Sequence, residues 1–193
     1  MKTILRVVTV LICGLAAIAA PTDLTNQTAN PDQSTLNIAL EDLLTYAGAD
    51  SPVLDAGGPP KALLFDPAPA IWPRTVDAVL YQKAGVKWAE VQRENEKNIA
   101  EAASNLVARI PTPTSGEPYI PANPQIQLFS EATQHNTWVR PIRAYRPGYS
   151  LDGSTAIILM VIPWGNHHAD GTYILVRAEE SWRVALRQFR IYP

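Results

Sequence analysis

The hydrophobic pattern changes character several times along this chain. After Lys2 and Arg6, the stretch from Val7 to Ala20 is apolar or small and uncharged, and Ala17 and Ala19 present small residues before a cut. A charged start, a short apolar run and a small-residue pair define a secretory signal peptide over residues 1–19. The run is too short to cross about 30 Å of hydrocarbon, and polar residues follow it with no stop-transfer pattern. Cys13 follows Ile12, whereas lipid anchoring wants a small residue there. Residues 20–33 are polar, contain Pro21 and Pro31, and read as a flexible tether. From Ser34 onward, Leu36, Leu40, Leu43, Leu44 and Ala47 recur at helical spacing until Gly48.

Residues 48–74 are rich in proline and glycine around one apolar run, Ala62 to Phe65, which predicts a wandering segment holding one short strand. Helical periodicity returns between Thr75 and Ile110 and stops at Pro111, with Gly85 as the divider between two helices. Gln92 to Asn98 is polar all round. Residues 111–124 form a proline-rich connector. Beyond it the period becomes two. Strands are expected near Trp138–Tyr145, Ala156–Ile162, Thr172–Arg177 and Trp182–Ile191, with turns at Ser150–Gly153, Gly165–Gly171 and Ala178–Ser181. The apolar run from Ala156 to Ile162 suits a central strand covered on both faces. Pairing Arg177 with Trp182 puts Tyr173, Leu175, Trp182, Val184 and Leu186 on one face, the core, and Arg183, Ala185 and Arg187 on the other. The expected fold class is α+β, with N-terminal helices packed on one face of a C-terminal four-stranded antiparallel meander, all within a single domain over residues 34–193.

Tyr145-Arg146-Pro147-Gly148-Tyr149, then Ala156, Gly171-Thr172-Tyr173-Ile174-Leu175 and Trp182-Arg183-Val184, resemble a C-terminal β-meander that recurs in uncharacterised secreted bacterial proteins. In those a Pro/Val-Gly-aromatic turn, an apolar strand, a Gly-x-Tyr-x-Leu strand and a Trp-x-Val strand follow one another. The resemblance covers about the last fifty residues and implies the sheet and export. It carries no activity, and a glycine-rich, cysteine-containing loop common in those proteins is replaced here by Trp164 to Asp170.

The 193 residues hold 16 basic and 18 acidic side chains. This near-neutral balance argues against nucleic acid as the main partner. Export would remove Lys2, Arg6 and the one cysteine, and with it thiol catalysis, disulfides and Cys-based zinc sites. It would leave residues 20–137 at −7 and the tail from Trp138 at +3.

The one concentrated set of ligand-type residues is His167, His168 and Asp170, with His135 as a further candidate. Imidazole and carboxylate suit a divalent metal, yet neighbouring side chains of an extended segment point to opposite faces, so an exposed hairpin loop without metal is the preferred reading. Gly148, Ser150 and Gly153 lack the spacing of a nucleophile elbow and read as a turn. Glu90, Glu94, Glu96 and Glu101 mark a solvated helix face that meets sheet arginines, and Arg183 with Arg187 are the candidate anion-binding pair. No phosphate loop, dinucleotide fingerprint or zinc-helix motif occurs, and no cofactor is implied. The favoured function is an exported, periplasmic or secreted, non-catalytic binding or accessory protein whose partner is a small molecule or protein, with no membrane span after signal cleavage. The alternative is a hydrolase using the His167/His168/Asp170 loop.

Overall fold

The computed structural model describes residues 30–46, 52–53, 62–80, 86–110, 119–129, 140–164 and 167–192. The expected signal peptide, Gly85 and His135 lie outside them. Helix α1 (Pro31–Thr45) begins three residues inside the stretch read as tether. The Asn30 side chain accepts a hydrogen bond from the Asp32 amide at 3.1 Å, and Pro31 occupies the first turn, where its missing N–H costs nothing. There follow β1 (Leu63–Asp66), α2 (Val76–Val79), α3 (Val86–Arg109), β2 (Ile126–Leu128), β3 (Ile142–Ala144), β4 (Gly148–Tyr149), β5 (Thr155–Trp164), β6 (His167–Ala178) and β7 (Ser181–Tyr192).

The strands form one mixed seven-stranded sheet in the order β2-β1-β3-β5-β6-β7, with β4 also on β5. The antiparallel part follows the expected meander: β3 and β4 pair with different stretches of β5, which pairs with β6, which pairs with β7. The four-stranded sheet is nevertheless a correction, because β1 adds parallel to β3 and β2 adds parallel to β1. Parallel neighbours are joined by long crossovers, and β2 is three residues long, so neither leaves a local hairpin signal.

Helices on one face are the second correction. Helix α1 packs Leu40, Leu43 and Leu44 on the face formed by Ala156, Ile158, Met160 and Ile162. Helices α2 and α3 cover the opposite face, where Val79, Ile99, Ala102 and Leu106 meet Ile157, Leu159 and Ile174. Successive β5 residues point to opposite sides, and each side needs an apolar cover. Burying each of these large aliphatic side chains stabilises the fold by roughly 1.5–3 kcal/mol.

Arg177 pairs with Trp182 as expected, and the Ala178–Ser181 hairpin turns with Glu179 at φ +56°. The register then shifts: Leu175 faces Val184, whereas Ile174 faces Leu186, leaving Ala185 as an extra residue. Leu186 therefore joins the α3 layer, while Trp182 and Val184 pack with the α1 layer. Arg187, opposite Tyr173, lands on the α1 side. Trp182 is half-buried at the core margin, its ring 6.1 Å from that of Tyr149.

The polar stretch of α3 contains a break at Asn95 (φ −133°), whose side-chain amide donates to the Val91 carbonyl at 3.2 Å. Glu90, Glu94 and Glu96 are exposed, consistent with a solvated face. Glu101 accepts from the Leu151 amide at 3.0 Å and lies 3.7 Å from Lys97. Among the described residues, no helix is long and apolar enough to cross a membrane.

Candidate ligand-binding site

The histidine segment is not a loop. His167–Gly171 belong to β6, with Trp164 opposite His167 and Pro163 opposite His168. This corrects the expected turn at Gly165–Gly171. Polar residues hold strand geometry here because their side chains have partners. His168 stacks on Tyr192 with ring centroids 4.9 Å apart, and Tyr192 carries Arg190 at 4.7 Å from its ring centroid. Asp170 is buried, accepting from Arg74 Nη2 at 3.1 Å and from the Tyr192 hydroxyl at 3.2 Å.

Both Asp170 oxygens are thus engaged, and the two histidines are neighbours on β6. Among the described residues, no group of three or more His, Cys, Asp or Glu side chains is placed to hold a metal ion. Arg183 and Arg187 do not form a pair, because the bulge at Ala185 puts them on opposite faces. Arg187 is joined to Asp42 of α1, Nε to Oδ2 at 2.6 Å, and lies 4.3 Å over the Tyr46 ring. The expected partners, the α3 carboxylates, are on the other layer. Ser150 is buried in its turn, donating to Asp152 Oδ1 at 2.6 Å and accepting from the Thr155 amide at 3.0 Å, which suits the turn reading.

Beside the histidine end of β6 lies a concavity of about 650 Å³. Arg74, Arg140 and Arg143 form its basic side together with His167 and His168. Trp72, Phe129, Val161 and Pro163 form its apolar side, with Pro73 and Pro141 at the entering chain. The sheet aims these groups: Arg143 is opposite Val161 across β3 and β5, on the side of the sheet away from α1.

Arg143 is held at its inner nitrogen, donating from Nε to Asp66 Oδ2 at 2.8 Å, and its guanidinium lies 5.7 Å from the Trp72 ring centroid. Asp66 is itself fixed, its other oxygen accepting from the Ala68 amide at 2.9 Å. Arg74 donates from Nε to the Tyr145 hydroxyl at 2.8 Å. Burial opposes the Arg74 charge, but this hydrogen bond and the nearby Asp170 carboxylate outweigh it and raise its pKa. Burial likewise raises the Tyr145 phenol, against the pull of Arg74. Among the described residues, Arg140 has no acidic partner within ion-pair distance and the outer Nη atoms of Arg143 are unengaged. The geometry therefore offers cationic donors that the described residues do not engage.

Of the sequence candidates, His167 and His168 line this concavity, and Asp170 sits behind it as the anchor of Arg74. His135 lies outside the described residues. Trp72, Arg74, Phe129, Arg140 and Arg143 escaped the sequence reading. Trp72-Pro73-Arg74 and Arg140-Pro141-Ile142-Arg143 both set arginine beside proline, with an aromatic in the first. Proline stiffens both stretches, but neither marks a ligand site by itself, since only the sheet brings them together.

Comparison with protein-family models, with curated proteins and with solved structures finds no match to this chain.

Proposed function

We propose that the protein is an exported, non-catalytic binding module that holds a small anionic ligand in the concavity beside Arg140 and Arg143. The observation that carries this reading is the presence of two guanidiniums with donors unengaged among the described residues, set against an apolar wall in one concavity. A volume near 650 Å³ falls within the range of about 300–1,000 Å³ typical of small-molecule sites. Among the described residues, the carboxylates of Asp66 and Asp170 are committed to Arg143 and Arg74, which leaves the charge of Arg140 unpaired there. Export rests on the N-terminal pattern of charge, apolar run and Ala17/Ala19, and the resemblance of the C-terminal meander to secreted proteins is in keeping with it.

Titration of the mature chain with small organic and inorganic anions, followed by thermal unfolding, tests the binding reading. A ligand at one hundred times its Kd should stabilise the fold by about 2.7 kcal/mol, and Arg140→Gln should remove that gain. N-terminal sequencing of material from the cell exterior or periplasm tests export, with Ala20 the expected first residue.

A further inference from the structure

Resting on the binding reading above, we propose that the ligand is a carboxylate carried on a flat apolar body, not an acidic sugar or a bare inorganic anion. The wall contains Trp72, Phe129, Val161 and Pro163, and none of the described lining residues is Ser, Thr, Asn or Gln. Asp66 and Asp170, which hold Arg143 and Arg74, are not among the described lining residues. Among the described lining side chains only the imidazoles can accept a hydrogen bond, whereas a saccharide would bring several hydroxyl donors, and each one buried without an acceptor is costly. An apolar body has no such requirement and gains from covering Trp72 and Val161.

Inorganic phosphate is disfavoured by a different feature. A bare phosphate would leave the apolar wall uncovered, and three of the lining positions, Pro73, Pro141 and Pro163, have no N–H with which to cradle it. What the site does present is a guanidinium fork. Asp66 fixes Arg143 through Nε, leaving the two terminal nitrogens as parallel donors that match the paired oxygens of an anionic head group, so that the apolar wall, not the fork, is what selects an organic acid. Trp72, whose ring lies beside that guanidinium, is 45% exposed and offers an aromatic surface next to the bound head group. Arg140 supplies a second positive charge, and Arg74, tied to Tyr145 and Asp170, closes the basic side. Arg143 is on this view the residue that sets specificity for the head group, and Trp72 the one that selects the body.

Isothermal titration of the full mature chain with naphthalene-2-carboxylate, acetate, inorganic phosphate and glucuronate distinguishes the classes. The expected result is that naphthalene-2-carboxylate binds at least tenfold more tightly than the other three. Trp72→Ala should weaken it about tenfold while leaving acetate unchanged, and Arg143→Gln should weaken both. Because Arg143→Gln leaves Asp66 without its cation, Arg140→Gln is the second variant, and it should also weaken the aromatic acid. If glucuronate or phosphate binds as tightly as the aromatic acid and depends on Arg140, the proposed ligand class is overturned while the anion-binding reading stands. If none of the four binds, or if binding is indifferent to both arginine substitutions, the binding reading fails and this proposal with it.

Discussion

Gly148 of β4 lies so close to Ala102 of α3 that a Cβ at position 148 would collide with the Ala102 carbonyl oxygen and the Leu106 amide. The obstacle is helix backbone, which cannot swing aside as a side chain can. Gly148→Ala is therefore expected to force α3 off the sheet and lower stability by at least about 1–3 kcal/mol, the usual cost of overpacking. Urea unfolding of the variant checks this, and an unchanged midpoint would show that α3 has room to move.

Asp42 and Arg187 tie α1 to the edge strand β7 with both side chains largely covered. The Asp42 hydrogen bond is the main reason the Arg187 pKa is raised, with burial acting against it. Asp42→Ala should leave a half-buried guanidinium without its acceptor. The expected loss is about 1–3 kcal/mol, between the values for exposed and buried pairs. Removing both partners, as Asp42→Ala with Arg187→Met, should recover part of it in a double-mutant cycle.

Alkaline pH should weaken the fold. Burial is the first cause raising the phenols of Tyr119, Tyr149 and Tyr173 above their ordinary value of 10.0. Each folded pKa is above the unfolded one, so the folded chain retains protons that the unfolded chain releases. Their contribution is complete below pH 10 and is lost as pH rises through the folded values. Urea midpoints should be flat between pH 8 and 9 and decline above 10, and Tyr149→Phe should reduce the slope. A midpoint constant to pH 12 would contradict this burial.

The Ser150–Ser154 turn should respond to acid. Hydrogen bonds, first from Ser150 and then from Ser154, pull the Asp152 carboxyl far below its ordinary value of 3.8. The stability it contributes is present above pH 3.8 and is lost as pH falls through the depressed folded value. Asp152→Ala should remove that acid dependence, read by unfolding between pH 5 and 2. Gly153, at φ +68°, should resist replacement independently, Gly153→Ala costing about 1–2 kcal/mol.

The elements that were legible in the sequence are those whose pattern is local. Leu36, Leu40, Leu43 and Leu44 located α1, and the apolar run Ala156–Ile162 required a strand covered on both faces. The Arg177–Trp182 pairing followed from a short turn. What was not legible depends on distant partners: Leu63 against Ile126 and Phe65 against Ile142 are parallel contacts bridged by long segments. His167 to Asp170 looked like loop because their polarity suggested solvent, whereas Tyr192 and Arg74 supply the strand with partners. The concavity shares this origin, since Trp72, Phe129 and Arg143 come from three separate stretches that the sheet brings together.

The extra residue at Ala185 also bears on the company the molecule keeps. Strand β7 ends the sheet, and twelve residues of uninterrupted edge would be a template for another chain. The bulge breaks that edge into two short pieces whose register with any straight incoming strand cannot be kept throughout. It also sends Arg183 and Arg190 to one side and Arg187, paired with Asp42, to the other, so a second copy of β7 would meet like charge on the face that carries Arg183 and Arg190. A single inserted alanine thus lets one strand serve two cores and defends the sheet against growing by self-association.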